Sequence, residues 1–120
     1  MTHSFRSFRP ALFGLCLLAL PLHAADPLTP GQAAYLEAQT RKADAHFVRT
    51  VAHLVGRPEA AIRKAMPTEG RIADPAERVI GVLEAERKEP LPEDLRNQIT
   101  AAEAVRRMSI ANAREAAAKR

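Results

Sequence analysis

The seven prolines beyond residue 26, at positions 27, 30, 58, 67, 75, 90 and 92, constrain this chain more than any other feature. Proline has no amide hydrogen and a fixed φ, so it is accepted in the first turn of a helix and breaks one from within. All seven fall at the edge of a helical pattern. The chain is thereby cut into helical segments of set length, and no run between the cuts alternates apolar with polar residues as a strand would. The expected fold is all-α, with three to four helices in a small open bundle or helical-hairpin array.

Each segment carries its own start signal. Thr29-Pro30-Gly31-Gln32 reads as a capping box, in which the threonine hydroxyl accepts from a free backbone N–H and the glutamine reaches back. The helix that follows, 30 to 55, places Leu36, Ala43, Phe47, Val51 and Leu54 at helical spacing, with Val48 and Val55 widening the stripe and Gly56 as the stop. A short segment opens at Pro58 and Glu59, gathers Ala61, Ile62, Ala65 and Met66 on one face, and closes at Pro67; residues up to Ala73 read as a connection. Asp74-Pro75-Ala76-Glu77 repeats the cap logic for a third helix ending near Lys88, with Ala76, Val79, Ile80 and Leu83 inward. Pro90 and Pro92 force a turn. Glu93 and Asp94 then place negative charge at the positive end of a fourth helix whose inward residues are expected to be Leu95, Ile99, Ala102 and Val105. Five acid-to-base pairs at i, i+4 (Glu37 and Arg41, Glu59 and Arg63, Glu84 and Lys88, Glu103 and Arg107, Glu115 and Lys119) have the favourable orientation and lie within these helices, each contributing about 0.2–0.5 kcal/mol.

The first 24 residues read differently. His3, Arg6 and Arg9 precede a 12-residue apolar run, ALFGLCLLALPL at 11–22. Crossing a bilayer takes about 20 apolar residues, so this is the core of a signal peptide and no membrane span remains after cleavage. Residues 1–24 are assigned as a Sec signal peptide cleaved near Ala24 or Ala25, and residues 25–120 as a single small all-α domain, periplasmic or secreted. Cys16, the chain's one cysteine, lies inside the leader. The exported chain therefore has no disulfide, no thiol nucleophile and no covalent haem attachment.

How much interior can 95 residues from Asp26 onward build? They contain 21 bulky apolar side chains, counting six Leu, five Ile, six Val, two Met, one Phe and one Tyr. A domain of under roughly 100 residues without staples must bury nearly all of them. After Val105 the face that should be covered carries Arg106, Ser109, Ala113 and Ala116, so the last dozen residues are expected to project or fray, leaving the C-terminal helix partly exposed unless a partner or second copy covers it.

Reactive constellations are sparse. His46 and His53 lie seven residues apart, about 10.5 Å along a helix, too far to share one ion. With Tyr35 and Gln39 they form one border of the apolar stripe of the first helix. That border is either a boundary half-covered by a neighbouring helix or a polar-aromatic recognition edge, since Tyr and His join an apolar body to a hydrogen-bonding tip. Glu84, Glu86 and Glu89 sit among Arg87 and Lys88 and read as a solvated face rather than an acid–base pair. Ser109 is the one serine after the leader, and no glycine cluster could cradle a phosphate. Net charge is +4, or +2 without Arg6 and Arg9, and no like-charge block suits nucleic acid. Arginine exceeds lysine 12 to 4 beyond the leader. Either nucleotide composition accounts for this, or Arg106, Arg107 and Arg114 on the fourth helix meet an anionic partner such as carboxylates or lipid headgroups.

Leu28-Thr29-Pro30-Gly31-Gln32 resembles the LTxxQ signature of small helical periplasmic stress chaperones, with Ile99-Thr100-Ala101-Ala102-Glu103 a looser second match. The resemblance spans five residues that a plain capping box also supplies, and the chain lacks that family's long methionine- and charge-rich helices. It implies client binding. Together these features suggest a small exported helical protein that is not an enzyme, holds no cofactor or metal, and acts by binding protein or itself as adaptor, accessory subunit or chaperone-like module. The alternative is an inhibitor or immunity-type protein for one exported enzyme. Candidate contact residues are Tyr35, His46, His53, Arg106, Arg107 and Arg114.

Overall fold

The computed structural model describes residues 27–67 and 74–120; the signal-peptide assignment, its cleavage site, Cys16 and residues 68–73 of the connection after Pro67 lie outside the described residues. The described residues are all-α, with four helices and no strand: α1 (Pro30–Val55), α2 (Glu59–Ala65), α3 (Pro75–Arg87) and α4 (Glu93–Ala118).

Local chemistry sets the ends. The Thr29 hydroxyl accepts from the Gln32 amide at 3.2 Å while the Thr29 amide donates to the Gln32 side chain at 2.9 Å, so both members of the capping box are formed. Gly56 ends α1 at φ 65°, a left-handed conformation that costs glycine nothing. Asp74 caps α3 by accepting from the Ala76 amide at 2.8 Å. At the other end of α3, Lys88 takes φ 58° with a side chain attached. Of the five i, i+4 pairs, Glu37 with Arg41, Glu103 with Arg107, and Glu115 with Lys119 are present. Glu84 turns away from Lys88 and accepts the Leu91 amide at 2.9 Å, which pins the proline turn into α4.

The helices close into a ring. α1 neighbours α2 and α4, α3 neighbours α2 and α4, and the diagonal pairs stay apart. Inside it Phe47, Val48, Val51, Ile62, Val79 and Ile99 are almost wholly excluded from water, with Ala65, Ala76, Ile80, Leu83 and Leu91 around them. α2 and α3 are short, so this core occupies only one end. α1 and α4, 26 residues each, antiparallel and about 39 Å long, continue beyond it as a two-helix hairpin.

Two expectations are corrected there. Val105 is half exposed, at 50%, and does not face inward. The covered stripe of α4 runs through Leu95, Ile99, Ala102, Glu103, Arg106, Ile110, Ala113 and Ala117, so the inward turn after Ala102 holds a charged pair where the apolar Val105 was expected. Nor does the C-terminal dozen project free. Ala113 and Ala117 are buried, because side chains of one carbon let α4 approach α1 closely, and the end is fastened twice. The Arg120 guanidinium lies 4.1 Å from the centre of the Tyr35 ring, and the Arg120 carbonyl accepts from Gln32 Nε2 at 3.2 Å.

Candidate interaction surface

The sequence candidates separate into two groups on opposite sides of the α1–α4 pair. Arg106 and Arg107 belong to an ion network on the side shared with α3. Glu103, only 3% exposed, receives Arg106 Nη1 and Arg107 Nε on the same oxygen, Oε1, each at 3.0 Å. Arg106 Nε also donates to Asp44 of α1 at 2.6 Å, and Arg107 Nη2 to Asp74, the α3 cap, at 3.0 Å. Five side chains thus join α1, α3 and α4. A covered carboxylate is tolerable only with such partners, and Arg supplies them because its planar fork donates in several directions at once. The second Glu103 oxygen, Oε2, has no hydrogen-bond partner among the described residues. Arg106 is therefore spent inside the molecule, with 19% of its side chain exposed. Arg114 is exposed two turns beyond Arg107 on the same side.

Tyr35, His46 and His53 lie on the other side. Helical spacing aligns Gln32, Tyr35, Gln39, His46, Thr50 and His53 along α1, and Gln98, Ala101, Val105, Met108, Ser109 and Asn112 along the adjacent face of α4. Between them His46, Thr50, Leu54, Gln98, Ala101, Ala102 and Val105 line an open groove of about 310 Å³. Met108, 65% exposed, stands one turn from Val105.

What distinguishes this face is charge. The groove lining holds no Asp, Glu, Lys or Arg, while Lys42 and Arg49 flank it on α1, four residues before and three after His46, and Glu115 lies two turns beyond Met108 on α4. The opposite face of the same hairpin, past the ends of α2 and α3, carries Glu37, Arg41, Arg107 and Arg114. In a chain with 27% charged residues, a groove lined without Asp, Glu, Lys or Arg is a departure, and charge depletion marks the centres of protein interfaces.

Of the Tyr35, His46 and His53 border expected from the sequence, His46 lines the groove. Sequence reasoning missed the α4 half by turning Val105 inward. The signal was present as a run of uncharged positions, 98, 101, 105, 108 and 112, at helical spacing.

The face has hydrogen-bonding tips in Gln39, His46, Thr50 and Gln98, an apolar floor, and no group of three or more potential metal ligands among the described residues. Two histidines a pair of turns apart can bind a surface but not share a proton. No described helix is long and apolar enough to cross a membrane. No protein-family model, no curated protein and no solved structure matches this chain.

Proposed function

We propose that this chain, exported to the periplasm by its leader, works without catalysis, by binding protein through the open α1–α4 face as an adaptor, accessory subunit or chaperone-like module. The observation that carries this reading is the open groove between α1 and α4, lined without Asp, Glu, Lys or Arg and bordered by the exposed Met108. A solvent-facing helix surface is ordinarily the polar, charged side of an amphipathic helix, and here the strip that lines the groove is uncharged between flanking Lys42 and Arg49 on α1 and Glu115 on α4. Val105 and Met108 supply exposed apolar area, and His46, Gln98 and Thr50 supply polar contacts around the groove. Protein surfaces of this kind bind other proteins because burial of the apolar centre drives association while rim groups fix register. The guanidinium groups of Arg106 and Arg107, held by Glu103, Asp44 and Asp74, contribute by tying α1, α3 and α4 together behind that face.

A photo-crosslinking residue placed at Val105, compared with one at Arg78 on the outer surface of α3, tests this in intact cells. Discrete adducts from position 105 that are absent from position 78 are expected, in a cleaved protein recovered from the periplasmic fraction. Absence of adducts at 105, or the same ladder from both positions, overturns the binding reading; uncleaved protein in the cytoplasm overturns export.

A further inference from the structure

We propose that Met108 is a redox modification site: a peroxide converts its exposed thioether to the sulfoxide, which makes the apolar border of the open groove polar and switches its binding off. The inference rests on the protein-binding reading and adds its regulation.

Exposure singles this sulfur out. The chain has three methionines, of which Met1 lies outside the described residues. Met66, at the end of α2, is partly buried against the hydrophobic core. Met108 is 65% exposed, more than Leu28 or Val105, the other large apolar side chains on the surface. Its neighbours one turn away along α4 are Ala104, Val105, Ala111 and Asn112, short side chains that leave the thioether open to solvent. A dissolved peroxide therefore reaches Met108 and is held off Met66.

With hydrogen peroxide as the oxidant the step needs nothing else. A sulfur lone pair attacks one peroxide oxygen, and an S–O bond forms as the O–O bond breaks. The displaced hydroxide takes the proton left on the transferred oxygen and departs as water. Sulfur loses two electrons and the peroxide gains them.

Position gives the modification its effect. Met108 stands one turn from Val105, which lines the groove, and the two supply the exposed apolar area on its α4 side. A thioether is covered by a partner at little polar cost. A sulfoxide carries an acceptor oxygen on a strong dipole, so a partner that covers it must supply a donor or leave that oxygen dry. The fold is spared, because Met108 lies outside the core cluster, whereas oxygen added at Met66 would enter the packing. Sulfoxide reductases return the thioether at the expense of a dithiol, so the change is reversible.

Treated with hydrogen peroxide, the purified protein should gain one oxygen at Met108 about tenfold faster than at Met66, read by mass spectrometry of its proteolytic peptides, and the two rates should converge in urea. The chain carrying a photo-crosslinking residue at Val105 is then oxidised, freed of peroxide and added to untreated periplasmic extract, where its adducts should fall about tenfold from those of the unoxidised chain. Met108→Leu, apolar and inert to peroxide, should give the same adducts before and after treatment. Met108→Gln, polar from the start, should lose them without treatment. Equal rates at Met108 and Met66, adducts that persist once Met108 is oxidised, or loss of the helical circular dichroism spectrum on oxidation each overturn the switch and leave the binding reading standing. No adducts from the unoxidised chain overturn the binding reading and the switch with it.

Discussion

Arg106 of α4 and Asp44 of α1 stand 62 residues apart in sequence and 2.6 Å apart in space, and the same guanidinium holds the buried Glu103. The pair is asymmetric in what depends on it. Removing Asp44 leaves Arg106 still bound to Glu103, whereas removing Arg106 leaves a covered carboxylate with Arg107 as its remaining partner. Arg106→Ala should therefore cost about 3 kcal/mol and Asp44→Ala about 1–2 kcal/mol, since the first takes a partner from the buried Glu103 carboxylate and the second leaves Arg106 bound to Glu103. Urea denaturation of the two variants and their double mutant gives both values and the coupling between them.

Phe47 is the largest of the fully excluded side chains and sits where α1 meets the rest of the core. Phe47→Ala should destabilise by about 3–5 kcal/mol, a large part of the total for a domain of this size. Thermal melts should show a midpoint lowered by well over ten degrees or no cooperative transition at all.

Lys88 and Gly56 both end a helix in the left-handed region, but only Gly56 is suited to it. Lys88→Gly should raise stability by about 0.5–1 kcal/mol by relieving the contact between Cβ and backbone. Gly56→Ala should lower it by about 1 kcal/mol even though the added carbon has open space around it, because the cost is torsional. Opposite shifts in the denaturation midpoint are the check.

The Tyr35 ring under the Arg120 guanidinium is a local fastening, worth about 0.5–1 kcal/mol at an exposed site. Tyr35→Ala should speed amide exchange in the last turns of α4, around Ala113 to Ala118, while exchange at Val51 and Val79 stays near its parent rate. Loss of protection throughout the core would contradict this, since the fastening lies at the far end of the hairpin from Phe47.

Helix number and borders were legible because each border has a local cause. The Thr29 to Gln32 capping box, Gly56, the Asp74-Pro75 start and the Pro90 to Pro92 turn act through neighbours within four residues. The phase of α4 was not legible, because it is decided by partners far away in sequence. Read alone, Val105 is the apolar residue that belongs inside; only Asp44 and Asp74, brought up by other helices, make it cheaper to turn Glu103 and Arg106 inward. The same long-range cause hid the α4 side of the open groove, since Val105, displaced outward by that choice, lines it one turn from the exposed Met108. The docking of Ala113 and Ala117 was hidden for another reason: small side chains add little transfer energy, and their contribution is the close approach they allow.

With Gln32 Nε2 reaching the Arg120 carbonyl at 3.2 Å, the start of α1 and the finish of α4 share one pole of the molecule, while α2 and α3 crowd the other. A short peptide bridging those two ends would join them without straining a helix, whereas opening the chain at the Glu89 to Leu91 bend would release a buried leucine and the amide that Glu84 holds. Anything tethered ahead of α1 is, by the same token, held at the opposite extremity from the packed helices.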